Sequence, residues 1–397
     1  MTSTILFYWD IIMILLSTTL LIWTVACKPD PTTIPNSQVE QENPTYPQLL
    51  DIDTLITEEM ADARVPGLAA CIIRDAEIVW CNGYGYANIE EELPVQYTTP
   101  FMLASVSKTF VAEAAMQLVE NNQLDIDDSV SSILDFSVVH PEDSTNITTR
   151  MLLSHTAGIK DNWSVMNDFI VSGDSPVDLG DFLEDYLNED GEHYNAQRNY
   201  YSSGVTQQSS YSNIGVALAA YVVEVTSGTP FDSYCAQNIF APLQMQDTAW
   251  HLADLDETIL AVPYEWNLGD WKPVAHYGYP DYPDGSLRTG AEQLAKFLVM
   301  HSNDGRYKDT QIVSPESVAE MNTVQYSSLD SMQGLIWYEW ELNGETIRGH
   351  NGGDRGVSTE MGVREDGVGF VILMNSEGDN DTLVTIEEAL LAAANDL

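Results

Sequence analysis

Three short stretches of this 397-residue chain carry side chains able to make and break a covalent bond. The first is Ser105-Val106-Ser107-Lys108. Residues at i and i+3 share one helix face, roughly 5–6 Å apart at Cβ, so a hydroxyl and an amine meet. A neutral lysine would take the serine proton and leave a nucleophilic oxygen. An ordinary lysine has a pKa of about 10.4, so this base requires a fall to about 7, which burial away from other cations supplies. Ser105 at a helix start would also turn its backbone N–H toward a developing oxyanion. Alone, the pattern reads more simply as a capping serine beside a solvated lysine.

The second stretch is Tyr211-Ser212-Asn213, ahead of the apolar run Ile214–Val225. A phenol beside the Ser/Lys pair could relay a proton to a leaving group. Asn213 could orient Lys108 and hold a substrate carbonyl. Alone this is a helix-entry turn, because Ser and Asn favour caps. The third is Gly349-His350-Asn351-Gly352-Gly353, expected at a strand end. Glycines there let a substrate backbone lie along the strand edge, and the Gly353 N–H is a candidate second oxyanion donor.

Each stretch is weak singly; their joint order carries the reading. With them the chain resembles the serine β-lactamase and penicillin-binding protein superfamily. The likeness is nearest to its class C β-lactamase, D-alanyl-D-alanine carboxypeptidase and esterase branch, and it covers most of residues 48–376. It extends to Pro66-Gly67-Leu68, Gly83-Tyr84-Gly85-Tyr86-Ala87, Leu152-Leu153-Ser154-His155-Thr156-Ala157-Gly158 and Gly285-Ser286-Leu287-Arg288-Thr289. The resemblance implies a sheet domain plus an all-α domain with the site in the cleft between them. It implies Ser105 as nucleophile, Lys108 as base, Tyr211 as proton relay, and the Ser105 and Gly353 amides as oxyanion hole. His155 is read as structural.

The third motif departs from the Lys-Thr-Gly pattern of such enzymes: here it reads His350-Asn351-Gly352. A histidine with a pKa near 6.5 is mostly neutral at pH 7, and it predicts a rate that changes between about pH 5.5 and 7.5. Asp354-Arg355 follows; Arg355 is a candidate for a substrate carboxylate, with Asp354 able to neutralise it.

The elements that must position these groups follow from periodicity. Leu49, Leu50, Ile52, Leu55, Ile56 and Met60 recur at helical spacing. Strands are expected at 68–74 and 77–86, then a helix from Ser105. Residues 120–285 show helical patterns, long polar loops and little strand signal. A helix is expected at 291–301. Strands return at 335–342 and 345–349 around Asn343-Gly344, and at 357–364 and 368–375 around Glu365-Asp366-Gly367. A helix over about 382–394 ends the chain. The fold class is therefore α/β (α+β): an antiparallel sheet flanked by terminal helices, residues 46–120 and 286–397, with an all-helical part at 121–285.

Four cysteines are present: Cys27, Cys71, Cys81 and Cys235. With Asp75-Ala76 as the turn, Cys71 faces Trp80 and Cys81 faces Ala70. Alternation then sends the two sulfurs to opposite faces, so without a bulge no disulfide joins them. No cysteine or histidine cluster has metal spacing, and neither metal nor cofactor is expected.

Ile11 to Ala26 is an apolar run ending at Thr24-Val25-Ala26-Cys27. It reads as an export segment, residues 1–27, either cleaved with Cys27 as lipid attachment or kept as an anchor helix. Residues 28–45, with Pro29, Pro31, Pro35 and Pro44, read as a disordered tether. Both versions put the domain outside the cytoplasm, on a membrane.

Lys plus Arg number 15 against 61 Asp plus Glu, a formal charge of −46. Such a surface repels phosphate backbones, which excludes nucleic acid as a partner. The acids are scattered, so they form a solvated acidic surface. Adaptation to a salty medium is the sharper reading, and it requires a melting temperature that rises with salt. The expected function is hydrolysis of an ester or amide through a Ser105 acyl-enzyme, with a D-Ala-type peptide or small ester as substrate. The alternative is a non-catalytic penicillin-binding or surface-binding module.

Overall fold

The computed structural model describes residues 50–378, 380–395 and 397. Cys27, the export segment and the tether lie outside the described residues. The main sheet has seven antiparallel strands. These are β1 (Gly67–Arg74), β2 (Glu77–Asn88), β3 (Leu93–Pro94), β4 (Tyr338–Leu342), β5 (Glu345–Asp354), β6 (Val357–Arg364) and β7 (Gly369–Met374). Their spatial order is β4-β5-β6-β7-β1-β2-β3. The β1–β7 pairing, Leu68 opposite Met374 through Ile73 opposite Gly369, joins the two ends of the chain into one sheet.

β1 is apolar throughout because both its faces are covered. Leu68, Ala70 and Ile72 pack with Ile52, Ile56 and Met60 of helix α1 (Leu50–Ala63) and with the C-terminal helix. Ala69, Cys71 and Ile73 point into the larger core on the opposite face. That core holds α2 (Lys108–Glu120), α3 (Asn213–Ser227) and α4 (Ala291–Ser302). The last helix, α5 (Asn380–Ala393), packs on α1. The mixed helix and antiparallel-sheet class expected from periodicity is the class observed.

Two expectations are corrected. Cys71 and Cys81 form a disulfide. The β1–β2 register shifts between Ile72 and Ile73, so that Ile73 faces Ile78 but Ile72 faces Trp80 and Cys71 faces Cys81. The bulge inserts one residue and turns both sulfurs to one side. Replacing both cysteines with alanine is expected to cost about 2–3 kcal/mol of stability, from the short loop that the bridge closes, read as a lower denaturation midpoint. Second, the 121–285 stretch holds strands as well as helices. Tyr264–Asn267 pairs with Asp270–Pro273 around Leu268-Gly269, and Val171–Ser172 pairs with Tyr277–Gly278. These two- to four-residue strands are too short to show a period of two.

Candidate active site

Ser105 does not open an α-helix. It sits in a 3-10 turn, Ala104–Ser107, that runs into α2 at Lys108. The preceding residue, Ala104, has φ of +46°, a left-handed conformation that a side chain adopts only under constraint. The constraints are visible. Leu103 donates its N–H to the Leu287 carbonyl at 2.8 Å, and the Leu103 carbonyl accepts from Thr359 Oγ1 of β6 at 2.6 Å. Ser107 Oγ accepts from the Leu287 N–H at 3.2 Å.

Lys108 is fully buried. Its Nζ donates to Ser105 Oγ at 3.0 Å and to the Asp284 carbonyl at 2.6 Å, and lies 5.0 Å from the Tyr211 ring centre. The hydroxyl, amine and phenol therefore meet as the spacing implied. The charge state differs from expectation. Burial alone pushes the ammonium down, but the attractions of Tyr211, Asp284 and Asp161 outweigh it and hold Lys108 above its ordinary value. In the resting site the lysine is charged, so a proton must leave it before it acts as a base.

Tyr211 stands on the N-terminal entry of α3. Ser212 caps that helix through its Oγ, which accepts from Gly215 N at 2.9 Å. Asp161 anchors the same turn, accepting from Ser212 Oγ, Asn213 N, Asn213 Nδ2 and Ile214 N. The Asn213 amide is thus committed to Asp161, whereas Lys108 is held by Ser105 and Asp284. His155 lies beneath Tyr211 with ring centres 4.4 Å apart, and its Nδ1 accepts from Ser212 N at 3.3 Å. This packing fits the structural role expected of it.

β5 supplies the opposite wall. β4 pairs it only as far as Gly349, so its edge at 350–353 is free of that neighbour. A Cβ on Gly352 would lie 2.5 Å from the Leu103 carbonyl and 2.9 Å from Ser105 N, so only glycine lets the strand approach the nucleophile turn. A Cβ on Gly353 would meet nothing within 4 Å; that residue faces open space in the cleft. Both Ser105 and Gly353 line the two cavities described next.

The larger cavity, about 530 Å³, is bordered by Ser105, Tyr211, Asn213, Trp163, Asp281 and Asp284 among others. The smaller, about 470 Å³, is bordered by Ser105, His155, Tyr211, His350, Asn351 and Gly353. A substrate bond placed at Ser105 would therefore have room on both sides.

His350 is 2% exposed, and its Nδ1 contacts the Asn351 carbonyl. A carbonyl only accepts, so Nδ1 carries the proton and Nε2 is the free acceptor. Burial and the Lys108 charge push the imidazole down to about 3. The expected His350 titration between pH 5.5 and 7.5 is thereby corrected: the ring stays neutral through that range. Its NMR ring shifts are expected to show no inflection between pH 5 and 8. A kinetic step near pH 6 would belong instead to the buried pair of Asp281, which burial pushes up to about 6, and Asp284, and Asp281→Asn is expected to move it.

Arg355 is not brought to the site. Its guanidinium pairs with Glu265 at 2.6 and 3.0 Å, its side chain is 63% exposed, and it borders neither cavity. Glu265 belongs to the 264–273 hairpin; no local spacing forecasts that partner.

Asp161, Asp281 and Asp284 were not singled out from sequence, yet all three border the larger cavity. Burial raises the Asp284 carboxyl well above the usual range, with Asp281 beside it adding to the rise. One proton shared between two buried carboxyls is the simplest account. Among the described residues no group of three His, Cys, Asp or Glu side chains is arranged to hold a metal ion.

A family model described as Beta-lactamase matches residues 52–395. Protein flp of Staphylococcus aureus (strain MW2) is 23% identical over 286 residues, 70% of this chain and 54% of that protein. The chain thus spans about half the length of that relative. The octameric penicillin-binding protein homologue from Pyrococcus abyssi superposes with a TM-score of 0.69 at 24% identity, over 87% of this chain and 77% of that one. The D-amino acid amidase from Ochrobactrum anthropi SV3, complexed with L-phenylalanine amide, gives 0.67 at 20% identity, over 87% and 99%. At these identities the structural likeness is one of fold.

Proposed function

The chain belongs to the beta-lactamase family, and on that premise we propose that it is a serine hydrolase cleaving an ester or amide through an acyl-enzyme on Ser105. The observation that carries the reading is the 3.0 Å contact between Lys108 Nζ and Ser105 Oγ at the junction of two open cavities. Lys108, once neutral, takes the Ser105 proton as Oγ attacks the carbonyl carbon. The Ser105 and Gly353 amides receive the oxyanion. Tyr211, against the Lys108 nitrogen, passes the proton to the leaving group. Water then enters by the reverse route and releases the acid. His350 offers Nε2 as a neutral acceptor on the smaller-cavity side. A small ester or a D-configured amide is the substrate class. The Cys71–Cys81 disulfide supports an oxidising compartment, in keeping with an exported, membrane-tethered domain.

The test is a neutral fluorophosphonate followed by peptide mapping, beside turnover of p-nitrophenyl esters, a D-Ala-D-Ala peptide and nitrocefin. Modification of Ser105, and loss of both labelling and turnover in Ser105→Ala, are expected. An unlabelled Ser105 would leave the non-catalytic binding module as the better reading.

A further inference from the structure

The larger cavity has an uneven lining. Trp163 and Ile170, 55% and 45% exposed, border it together with Met166. Exposed apolar side chains gathered at a cavity mark a place where an apolar group is bound. Asp281, Asp284 and Asp354 border the same cavity, as does Tyr279, whose hydroxyl donates to Asp354 Oδ2 at 3.3 Å. Lys160 is the cation that borders this cavity, while Lys108 is buried and touches Ser105 Oγ without lining it. Lys160 Nζ lies 5.6 Å from the Tyr201 ring, a ring that also borders the cavity.

For a carboxylate on the substrate the cavity lining offers Lys160 against four carboxyls, Asp161, Asp281, Asp284 and Asp354. His350, at the position where related enzymes carry a lysine, is neutral and buried. Arg355 is closed into its Glu265 pair. Counting Asp161 and Asp354 as charged, Asp281 and Asp284 as sharing one proton, and both Lys160 and the neighbouring buried Lys108 as charged, the cavity lining together with Lys108 carries about one net negative charge. It carries about two once Lys108 is neutral. Aromatic faces beside carboxylates favour an ammonium ion.

Resting on the hydrolase reading above, we infer that the larger cavity selects substrates in which an apolar group carries an ammonium, and rejects those bearing a carboxylate there. The same charge logic links selection to chemistry. An ammonium seated beside Asp281 and Asp284 takes over the counter-charge that holds the proton on Lys108. It also repels the Lys108 charge, so binding of the right substrate favours the neutral base.

The experiment measures how three slowly reacting amides slow the labelling of Ser105 by a neutral fluorophosphonate, at pH 7.5 in 0.05 and 0.5 M NaCl. The amides are phenylalanine amide in both configurations, 2-methyl-3-phenylpropanamide, and the monoamide of benzylmalonic acid. They differ chiefly in whether ammonium, methyl or carboxylate sits beside the carbonyl. Absence of labelling would remove the hydrolase reading itself. With labelling present, the expected order of protection is ammonium over neutral over carboxylate. The first step is expected to be at least about tenfold and to persist in 0.5 M salt, where the field of the whole acidic surface is screened. Asp281→Asn and Asp354→Asn are each expected to shrink that ratio several-fold. Equal protection, a preference for the carboxylate, a preference that vanishes in salt, or a ratio unchanged in both variants would overturn the inference.

Discussion

Replacing Lys108 with methionine is expected to slow fluorophosphonate labelling of Ser105 about 1,000-fold, and replacing it with arginine is expected to slow it as much. Positioned general bases contribute about 100- to 10,000-fold. The two variants separate charge from proton transfer. Methionine removes both donors, to Ser105 Oγ and to the Asp284 carbonyl. Arginine keeps a cation but does not surrender a proton at accessible pH. An active Lys108→Arg protein would show that Lys108 serves only as a charge. The pH dependence gives a second handle. The attractions of Tyr211, Asp284 and Asp161 overcome burial and hold Lys108 above its ordinary value, so the neutral base is a minor species at pH 7. Each pH increase exposes proportionally more of it, and the wild-type labelling rate is expected to climb throughout pH 7 to 9. A plateau beginning near pH 7 would show that the resting lysine is already neutral.

That charge state is where sequence reasoning went astray, and the reason is physical. Ser105, Lys108, Tyr211 and the Gly352-Gly353 pair were legible because each carries local information: a helical i, i+3 spacing, a helix-entry turn, a strand end. The strands expected at 68–74, 345–349 and 357–364 were legible because β-rich runs and the short turns beside them are local as well, although the second strand runs on to Asp354. What decides the protonation of Lys108 is not local. Asp284 lies 176 residues further along the chain, and Asp161 comes from a loop whose letters follow no pattern. The sequence showed few cations near Lys108 and so suggested a lowered pKa; it could not show how many carboxyls the fold would gather there. The bulge that pairs Cys71 with Cys81 is similar. One inserted residue, Val79, reverses a strand face without any glycine or proline to announce it. The Arg355–Glu265 pair likewise spans 90 residues.

Burial of acids also sets the pH dependence of stability, and Glu113 is one such acid outside the site. This residue lies mid-way along α2, fully buried, and neither carboxyl oxygen has a hydrogen-bond partner among the described residues. Burial, with the Glu120 charge adding to it, raises its carboxyl from 4.5 to about 8. In the unfolded chain Glu113 ionises above about pH 4.5; in the folded one it keeps its proton until about pH 8. Between those values the native state binds the extra proton, so stability falls as pH rises. The linkage amounts to on the order of 4 kcal/mol lost by pH 8 from this one side chain. Glu113→Gln cannot ionise and escapes that loss. Its melting temperature is expected to match the wild type near pH 5 and to exceed it by about 5 °C at pH 8, taking an unfolding entropy of about 2.1 cal/mol/K per residue over ~350 residues. Asp281, Asp284 and Glu360 are raised in the same direction and keep their slopes in both proteins, so the difference between the two curves isolates Glu113. Parallel curves across pH 5 to 8 would mean that Glu113 is ionised in the folded protein, and that α2, the helix that begins at Lys108, holds a charge in its core.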